Sequence, residues 1–260
     1  MPITIDACVA QHQGDRKEQQ DRVAIVPHPK GGGVALAVVA DGMGGHTGGV
    51  LAAQQVIHTA RNNLDHFSAR TESAGAMLEA SINEAHMMIK ASRFMNEKDP
   101  HSTAVMLLLQ PGKVSWAHCG DSRLYRFRGD QLVFRSTDHS YVEQLVRQGK
   151  ITPEQALVHP NRNILITPLG GGEPPKIDVG EASDLQGGDS FLLCSDGLWG
   201  YFREAEIGGV IAAHTAREAS ELLISRARAR AHGEGDNISV AILKLAEVPP
   251  AKKPAAFPPR

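Results

Sequence analysis

Four apolar runs of the sequence are each bordered by an aspartate. They are residues 34–40 before Asp41, residues 114–120 before Asp121, residues 190–195 before Asp196, and residues 238–243 after Asp236. Short continuous apolar runs are typical of strands buried on both faces, so each run would bring one carboxylate to the end of a strand. A single Asp-Gly pair is an ordinary turn after a strand, whereas four such carboxylates favour one shared site.

The chemistry of such a site follows from its charge. Carboxylates that meet in a partly desolvated place repel one another, which raises their pKa values and destabilises the fold unless cations compensate. Magnesium and manganese prefer carboxylate, carbonyl and water oxygens, whereas zinc sites usually include histidine or cysteine. The sequence holds neither a His-x-x-x-His nor a Cys-x-x-Cys pattern. It therefore predicts an oxygen-only site for hard divalent cations.

The elements that must position these carboxylates follow from periodicity and turn residues. The first part of the chain predicts strands at 4–12 and 22–27, a Gly-rich turn at 31–33 into the strand that ends at Asp41, helices at 50–67 and 74–94, and strands at 103–110, 113–119 and 123–128. The second part predicts an irregular lobe at 140–172, strands at 177–182 and 190–194, helices at 204–213 and 217–231, and a last strand at 238–243. This order predicts two sheets packed together with helices outside them.

Length and composition favour one large domain. The chain has 260 residues, of which 42% are hydrophobic, so it can bury a substantial core. A net charge of -2 with scattered lysines and arginines lacks the basic footprint of a nucleic-acid-binding protein. The sequence also lacks a membrane-spanning run and a signal peptide, which indicates a cytoplasmic protein without a membrane partner. Residues 248–260 contain five prolines and predict a disordered tail.

Seven short motifs occur in order along the chain. They are Arg16-x-x-x-Gln20-Asp21, Asp41-Gly42-Met43-Gly44-Gly45, Ser102-Thr103-Ala104, Gly120-Asp121-Ser122-Arg123, Asp138-His139-Ser140, Ser195-Asp196-Gly197-Leu198-Trp199 and Asp236-Asn237-Ile238-Ser239-Val240. With these motifs, the chain resembles the metal-dependent Ser/Thr protein phosphatases of the PPM or phosphatase 2C family, in the compact bacterial form. The resemblance extends from about residue 5 to residue 245.

The resemblance implies an α+β fold. Two antiparallel β-sheets would pack centrally and be flanked by helix pairs, as a four-layer αββα sandwich. The catalytic domain would cover residues 1–247, with a flap-like insertion at about 140–172. One end of the sandwich would hold two manganese or magnesium ions and a weaker third. The implied metal ligands are Asp41 as the bridge between both ions, the Gly42 carbonyl, Asp196 and Asp236, with Asp121 at the third ion and Asp21 holding metal-bound water.

The implied activity is hydrolysis of phosphoserine and phosphothreonine on proteins. Two adjacent divalent cations lower the pKa of a shared water and screen the phosphate charge, so that hydroxide attacks phosphorus. Arg16 would clamp the phosphate because a planar guanidinium meets two phosphate oxygens at once. Arg16, Asp41 and Asp196 are thus the predicted catalytic residues. The expected partners are phosphorylated proteins and a cognate Ser/Thr kinase that the enzyme opposes, and the expected state is a monomer.

Two positions depart from the family pattern. Gln20 stands where many relatives have glutamate, which keeps an acceptor oxygen but removes a charge and predicts weaker metal binding. Met43 stands where eukaryotic members have histidine, and methionine cannot protonate a leaving group. His46 and a metal-bound water are the alternatives for that role, and Asn237 is a further site candidate. Arg123, His118 and His139 are assigned to the structural frame around the site.

Three alternative functions are open at the level of sequence. A phosphatase-fold module that binds a phosphorylated partner without turnover is the main one, although inactive relatives usually lose the metal ligands. A cysteine phosphatase needs an arginine six residues after its nucleophile, and Tyr125 stands six residues after Cys119. A metal-dependent phosphodiesterase or nuclease needs a basic stripe. The cysteines, Cys8, Cys119 and Cys194, are expected to be reduced core thiols.

Overall fold

The computed structural model describes residues 3–44, 47–93 and 99–247. Its strands are β1 Ile3–His12, β2 Arg22–Pro27, β3 Ala35–Ala40, β4 Gly42–Met43, β5 His101–Ser102, β6 Ala104–Gln110, β7 Lys113–Cys119, β8 Arg123–Arg128, β9 Gln131–Arg135, β10 Asp178–Ala182, β11 Asp189–Cys194 and β12 Ile238–Glu247. Its helices are α1 Thr47–His66, α2 Ala74–Ser92, α3 Tyr141–Arg147, α4 Pro153–Leu157, α5 Asp196–Trp199, α6 Glu204–Ala213 and α7 Ala216–Ala231.

The strands form two five-stranded sheets. The first sheet has the order β1-β12-β11-β8-β9, and the second sheet has the order β10-β7-β6-β3-β2. Every strand pair in both sheets is antiparallel. A separate two-residue ladder joins β4 to β5. The chain crosses from the second sheet to the first after β7 and again after β10, so the link that contains Asp121 bridges the two sheets.

Three apolar cores separate four layers. The first core lies between the second sheet and helices α1 and α2, the next between the two sheets, and the last between the first sheet and helices α6 and α7. Representative residues are Leu36, Val56 and Leu78 in the first core, Val39, Leu107 and Phe191 in the next, and Leu192, Ile211 and Leu223 in the last. The predicted α+β fold, with two antiparallel sheets between helix pairs, is confirmed.

Strand β3 shows why its sequence is continuously apolar. Successive side chains of a strand point to opposite faces of the sheet. Leu36 and Val38 pack against the helices, whereas Ala37 and Val39 pack against the other sheet. All four are at most 1% exposed. Because both faces of the central strands are covered, burial on each face selects apolar residues at every position.

The two ends of α7 explain how the chain reaches the last aspartate. At the start, Thr215 and Glu218 form a capping box in which each side chain accepts the backbone N–H of the other residue. At the end, His232 has a φ of 50° and Gly233 a φ of 89°. Such left-handed residues commonly end helices and reverse the chain. The chain thereby turns back towards Asp236 and enters β12.

Most element boundaries match the sequence predictions, with three informative differences. Strand β9 was not predicted, because it lies at a sheet edge and Gln131 to Val133 are exposed without alternation. Helix α1 begins at Thr47, three residues before the predicted start, since glycines 48 and 49 resemble a loop. Strand β12 continues to Glu247 because β1 pairs with it along its whole length.

The predicted tail and His46 lie outside the described residues. No helix in the described ranges is long and apolar enough to cross a membrane.

Candidate active site

The four strand-end aspartates come together at one end of the sandwich, and we call them the aspartate cluster. Asp41 follows β3, and Asp121 comes two residues after β7, both from the second sheet. Asp196 begins α5 just after β11, and Asp236 lies two residues before β12, both from the first sheet. All four line one cavity of about 370 Å³. The convergence that the sequence predicted is therefore observed, and it joins both sheets.

The cavity also contains most of the other predicted site residues. Its remaining lining residues are Arg16, Lys17, Glu18, Gln20, Gly42, Met43, Asn163, Leu165 and Asn237. Asp21 does not line it but lies beneath, 1% exposed. The Ser195 hydroxyl donates to Asp21 Oδ2 at 2.7 Å and accepts the Ser239 N–H at 3.0 Å. Ser195, which sequence reasoning left without a role, thus ties Asp21 to the strand ends of the first sheet.

Burial and mutual repulsion raise the pKa values of Asp21, Asp41, Asp121 and Asp196. Burial raises the pKa of Asp21 to about 7, and the charge of Asp196 adds to this effect. Burial raises the pKa of Asp196 to about 6, with a further contribution from Asp236. The pKa values of Asp41 and Asp121 are raised well above the ordinary aspartate value, first by burial and then by neighbouring carboxylates. Near neutral pH, a cluster of carboxylates with raised pKa values is stabilised when it binds protons or cations.

The donor set of the cavity fits hard divalent cations. Asp196 Oδ1 is buried and has no hydrogen-bond partner. A buried acceptor without a partner costs about 1–3 kcal/mol, which a cation would recover. The four carboxylates of the aspartate cluster, the Glu18 carboxylate and the backbone at Gly42 line the cavity, whereas histidine and cysteine are missing from its described lining. Oxygen ligands of this kind suit magnesium and manganese.

Asp41 is fixed in place by the Ser102-Thr103 motif. The Asp41 N–H donates to Thr103 Oγ1 at 3.0 Å, while the Asp41 carbonyl accepts from the Thr103 N–H at 2.9 Å and from Ser102 Oγ at 3.0 Å. A Cβ on Gly42 would lie 2.1 Å from the Gly49 carbonyl oxygen, so only glycine permits this approach. These contacts explain why the chain has Ser102-Thr103 in one motif and Asp41-Gly42 in the other. The sequence did not reveal the hydrogen bonds between them.

Asn237 organises the loop that carries Arg16 and Gln20. We call residues 13–20 the arginine loop. The Asn237 amide donates to the Gln13 carbonyl at 2.6 Å and to the Glu18 carbonyl at 2.9 Å, and its oxygen accepts the Gln20 N–H at 2.7 Å. Asn237 is only 5% exposed. Its side chain therefore positions the loop and does so from the residue next to Asp236.

Arg16 lies at the rim of the cavity. Its Nη2 atom is 2.6 Å from Asp236 Oδ2, and the two side chains are 60% and 36% exposed. The guanidinium therefore stands over a predicted metal ligand and retains a solvent-facing surface. This position is compatible with the predicted contact to a phosphate group.

Arg123 belongs to the frame beneath the site, as predicted. Its guanidinium donates to both oxygens of Asp138 at 2.8 and 2.7 Å and stacks 3.5 Å from the centre of the Trp199 ring. Trp199 Nε1 in turn donates to the Asp121 carbonyl at 3.0 Å. This chain of contacts holds Asp121 on the link between the sheets.

His118 and His139 also belong to this frame. Their rings stack with centroids 4.6 Å apart, and with Asp178 they form a group whose possible ligand atoms lie within 4.8 Å of one another. His118 Nε2 faces the Thr137 carbonyl at 2.9 Å. His139 Nδ1 accepts the Gly120 N–H, which leaves the proton of the neutral ring on Nε2, the atom that faces Asp178. At His139 the group therefore presents a proton where a metal ligand needs a lone pair.

The cysteines do not support nucleophilic catalysis. Cys119 and Cys194 are fully buried, Cys8 is partly buried, and all three are free thiols. Burial raises the pKa of the Cys119 thiol to about 12, so it carries almost no thiolate at neutral pH. The cavity lining in the described residues contains no cysteine. The cysteine-phosphatase alternative is therefore excluded.

Comparison with known proteins gives a consistent family. The model of the family "Protein phosphatase 2C" matches residues 10–229. Among curated proteins, the serine/threonine phosphatase stp of Listeria innocua is 31% identical over 80% of this chain and 84% of its own length.

Solved structures agree in fold. The serine/threonine phosphatase of S. agalactiae superposes with a TM-score of 0.83 and 29% identity, covering 94% of this chain and 100% of that one. The catalytic domain of the serine/threonine protein phosphatase PstP, solved in complex with two manganese ions, superposes with a TM-score of 0.78 and 26% identity, covering 95% and 100%.

Proposed function

The chain belongs to the protein phosphatase 2C family of serine/threonine protein phosphatases, and we propose that it hydrolyses phosphoserine and phosphothreonine with a pair of divalent cations held by the aspartate cluster. Phosphatase activity follows from the family. The binuclear mechanism is the proposed part, and one observation carries it: carboxylates from both sheets share a cavity in which the pKa values of Asp41 and Asp196 are raised and Asp196 Oδ1 has no partner.

The ligand assignment follows the cavity. Asp41, Asp196, Asp236 and the Gly42 carbonyl would hold two manganese or magnesium ions, and Asp121 would hold a weaker third. The manganese pair of the PstP catalytic domain supports this ion count. When bound, the ions supply the positive charge that activates a water nucleophile and screens the phosphate. Gln20 lines the cavity without a charge, so we expect modest metal affinity.

The remaining tasks are phosphate binding, water orientation and protonation of the leaving group. Side chains at the rim of the cavity and beneath it are the candidates for these tasks. Arg16 binds the phosphate oxygens through its planar guanidinium. Asp21, held by Ser195, lies against the cluster and orients water. Met43 lines the cavity and cannot protonate the leaving group. That role stays open between His46 and solvent bound at the cluster.

The substrate and cellular setting are further parts of the proposal. Substrates would be phosphorylated proteins, and the enzyme would oppose a Ser/Thr protein kinase in the cytoplasm as a monomer. The lobe at 140–172 contributes Asn163 and Leu165 to the cavity, which supports a role as a flap over the substrate. A catalytically silent binding module is not favoured, since the named relatives are phosphatases and the aspartate cluster is complete. A nuclease is not favoured either, because net charge is -2.

The test measures phosphate release and metal binding together. The purified protein with manganese should release phosphate from a phosphothreonine peptide and from p-nitrophenyl phosphate, and calorimetry should detect two ions per chain. Asp41→Asn should lower both turnover and metal affinity. Absence of phosphate release by the metal-loaded protein would refute the activity, and binding of a single ion would refute the binuclear site.

A further inference from the structure

We propose that Asp15 and Arg228 are positioning residues for Arg16, because together they fasten the arginine loop to helix α7. Neither side chain is part of the described cavity lining. The inference rests on the proposed role of Arg16 and extends it to residues 213 positions apart in the chain.

The contact between Asp15 and Arg228 is a bidentate ion pair. Arg228 Nη1 donates to Asp15 Oδ2 at 2.6 Å, and Arg228 Nη2 donates to Asp15 Oδ1 at 2.7 Å. The side chains are 27% and 26% exposed for Asp15 and Arg228, so the pair is partly shielded from water. Two parallel bonds between planar groups fix orientation as well as distance. This pair therefore defines the position of Asp15 relative to α7.

The same carboxylate joins the arginine loop to the loop that carries Asp236. Asp15 Oδ2 accepts the Gly235 N–H at 2.7 Å, and the Asp15 N–H donates to the Gly235 carbonyl at 2.8 Å. One residue further along each loop, Arg16 Nη2 donates to Asp236 Oδ2 at 2.6 Å. The two loops thus run side by side in a fixed register. Arg228 contacts Asp15 in the pair of residues farther from the cavity. Arg16 contacts Asp236 in the pair at the cavity rim.

The packing between these loops leaves no space to absorb a shift. A Cβ on Gly14 would lie 2.1 Å from the Asp236 carbonyl oxygen. A Cβ on Gly235 would lie 2.7 Å from Arg228 Nη1 and 3.0 Å from the Ala231 Cβ. At Gly14 this approach is to backbone and requires glycine, whereas a larger residue at Gly235 would displace the Arg228 guanidinium from its contact with Asp15. Because the contact is tight, a displacement of Asp15 moves Arg16 with it.

We call the ion pair between Asp15 and Arg228 the clamp. Helix α7 is a suitable anchor for it. Leu223 and Ala227 of α7 are fully buried in the core between the helices and the first sheet. Arg228 follows directly after Ala227, in the last turn, where the helix dipole favours a positive charge. The arginine is therefore attached to a rigid element whose position the core determines.

Arg228→Met removes the donors while it keeps much of the side-chain length. We expect KM for a phosphothreonine peptide to rise about fivefold with kcat within about twofold, since a loosened Arg16 weakens binding of the phosphate before the chemical step. Asp15→Asn should act in the same direction. Arg228→Lys should restore part of the wild-type KM, because lysine keeps the charge but offers no fork.

The matched control is Arg230 on the same helix. Arg230 Nη2 and Nη1 donate to Glu206 at 2.6 and 2.9 Å, so this pair has a similar geometry but joins α7 to α6. Arg230→Met should leave KM unchanged. Equal KM effects of Arg228→Met and Arg230→Met would mean that both act through the stability of α7, and the clamp would be rejected.

A double-mutant cycle tests whether Arg228 acts through Arg16. Arg16→Ala should raise KM, and adding Arg228→Met to it should raise KM no further, because residues that act through one contact are not additive. Additive effects, or an unchanged KM in Arg16→Ala, would overturn the inference.

A measurement without turnover separates this inference from the proposed function. Trypsin cleavage after Arg16 and Lys17 should be about fivefold faster in Arg228→Met than in Arg230→Met, since the unfastened loop opens more often. Equal cleavage rates would reject the clamp. A wild-type protein without phosphatase activity would reject the proposed function, and the cleavage rates would still decide about the clamp.

Discussion

Asp196 shows how one side chain can oppose stability and serve chemistry. Its Oδ1 atom is buried without a hydrogen-bond partner, and burial together with Asp236 raises its pKa to about 6. Near neutral pH the ionised group therefore destabilises the metal-free fold. The same properties would favour its binding to a cation, as proposed. A residue under these opposing demands is typical of a functional site.

Asp196→Asn should separate the two effects. We expect turnover to fall at least about 100-fold, since a catalytic electrostatic element is lost. In the presence of EDTA, the melting temperature should rise by about 2–4 °C, since one repelling charge has been removed. Phosphate release and scanning calorimetry measure the two effects. Near-normal turnover would contradict the assigned site, and a lower melting temperature would contradict the argument from repulsion.

The thiols give a second prediction at this scale. Cys119 and Cys194 are fully buried, and burial raises the pKa of Cys119 to about 12, whereas Cys8 is partly exposed on β1. We therefore expect a disulfide-exchange reagent to modify only Cys8 in the native protein and all three thiols in guanidinium. Mass spectrometry of the labelled protein locates the modified residue. Rapid native labelling of Cys119 would show that the strand is not packed as described.

At the scale of elements, Asn237 couples the entry of β12 to the arginine loop. Asn237→Ala removes hydrogen bonds to Gln13, Glu18 and Gln20, so we expect a loss of about 2 kcal/mol in unfolding free energy. KM should rise as well, because the loop carries Arg16. Urea denaturation and steady-state kinetics measure both. Asn83 is a control, since its amide donates to the Glu79 carbonyl within the same helix, α2, and Asn83→Ala should change neither quantity.

The sequence was sufficient for elements whose pattern is local. Strand β2 and helix α6 have the predicted ends, because alternating or apolar runs and turn residues determine them. Strand β9 was missed because an exposed edge strand has no such pattern. The two-residue ladder between β4 and β5 was missed for a related reason, since so short a strand depends on its partner alone.

The candidate site was predictable as a set of residues but not as a set of contacts. The aspartates could be identified because motifs mark them, and the cavity contains all four. The partners of the site residues lie far away in the chain: Ser195 is 174 positions from Asp21, and Arg228 is 213 positions from Asp15. Such pairings depend on the packing of whole layers. No local pattern in the sequence records them.

At the scale of the whole molecule, pH and metal should act on stability in a linked way. The folded-state pKa values of Asp21 and Asp196 are about 7 and 6, above the ordinary value of 3.8. Between these values the folded state binds protons that the unfolded chain does not, so metal-free stability should increase as pH falls from about 7 towards 4. His139 acts oppositely, because burial lowers its pKa to about 4 and the unfolded chain takes up the proton below about 6.5.

The carboxylates should dominate this balance, since Asp41 and Asp121 have raised pKa values as well. In EDTA, we expect the melting temperature to be higher at pH 5 than at pH 7. With saturating manganese the order should reverse, because the ions bind the ionised carboxylates of the folded state only. Calorimetry at both pH values measures this. A melting temperature that is independent of manganese at pH 7 would contradict the proposed metal site.

The pairing of β1 with β12 bears on how this fold can be rebuilt. Their register runs from Ile3 opposite Glu247 to His12 opposite Ile238, and the second of these pairs lies beside the aspartate cluster. Residues 3 and 247 are thus neighbours at the far pole of the sandwich. A short covalent bridge between them, with new ends cut at the β8–β9 turn near Gly129, would give a circularly permuted enzyme with an undisturbed catalytic pole. A fusion partner joined at residue 3 or residue 247 would likewise lie at this pole, away from the cavity.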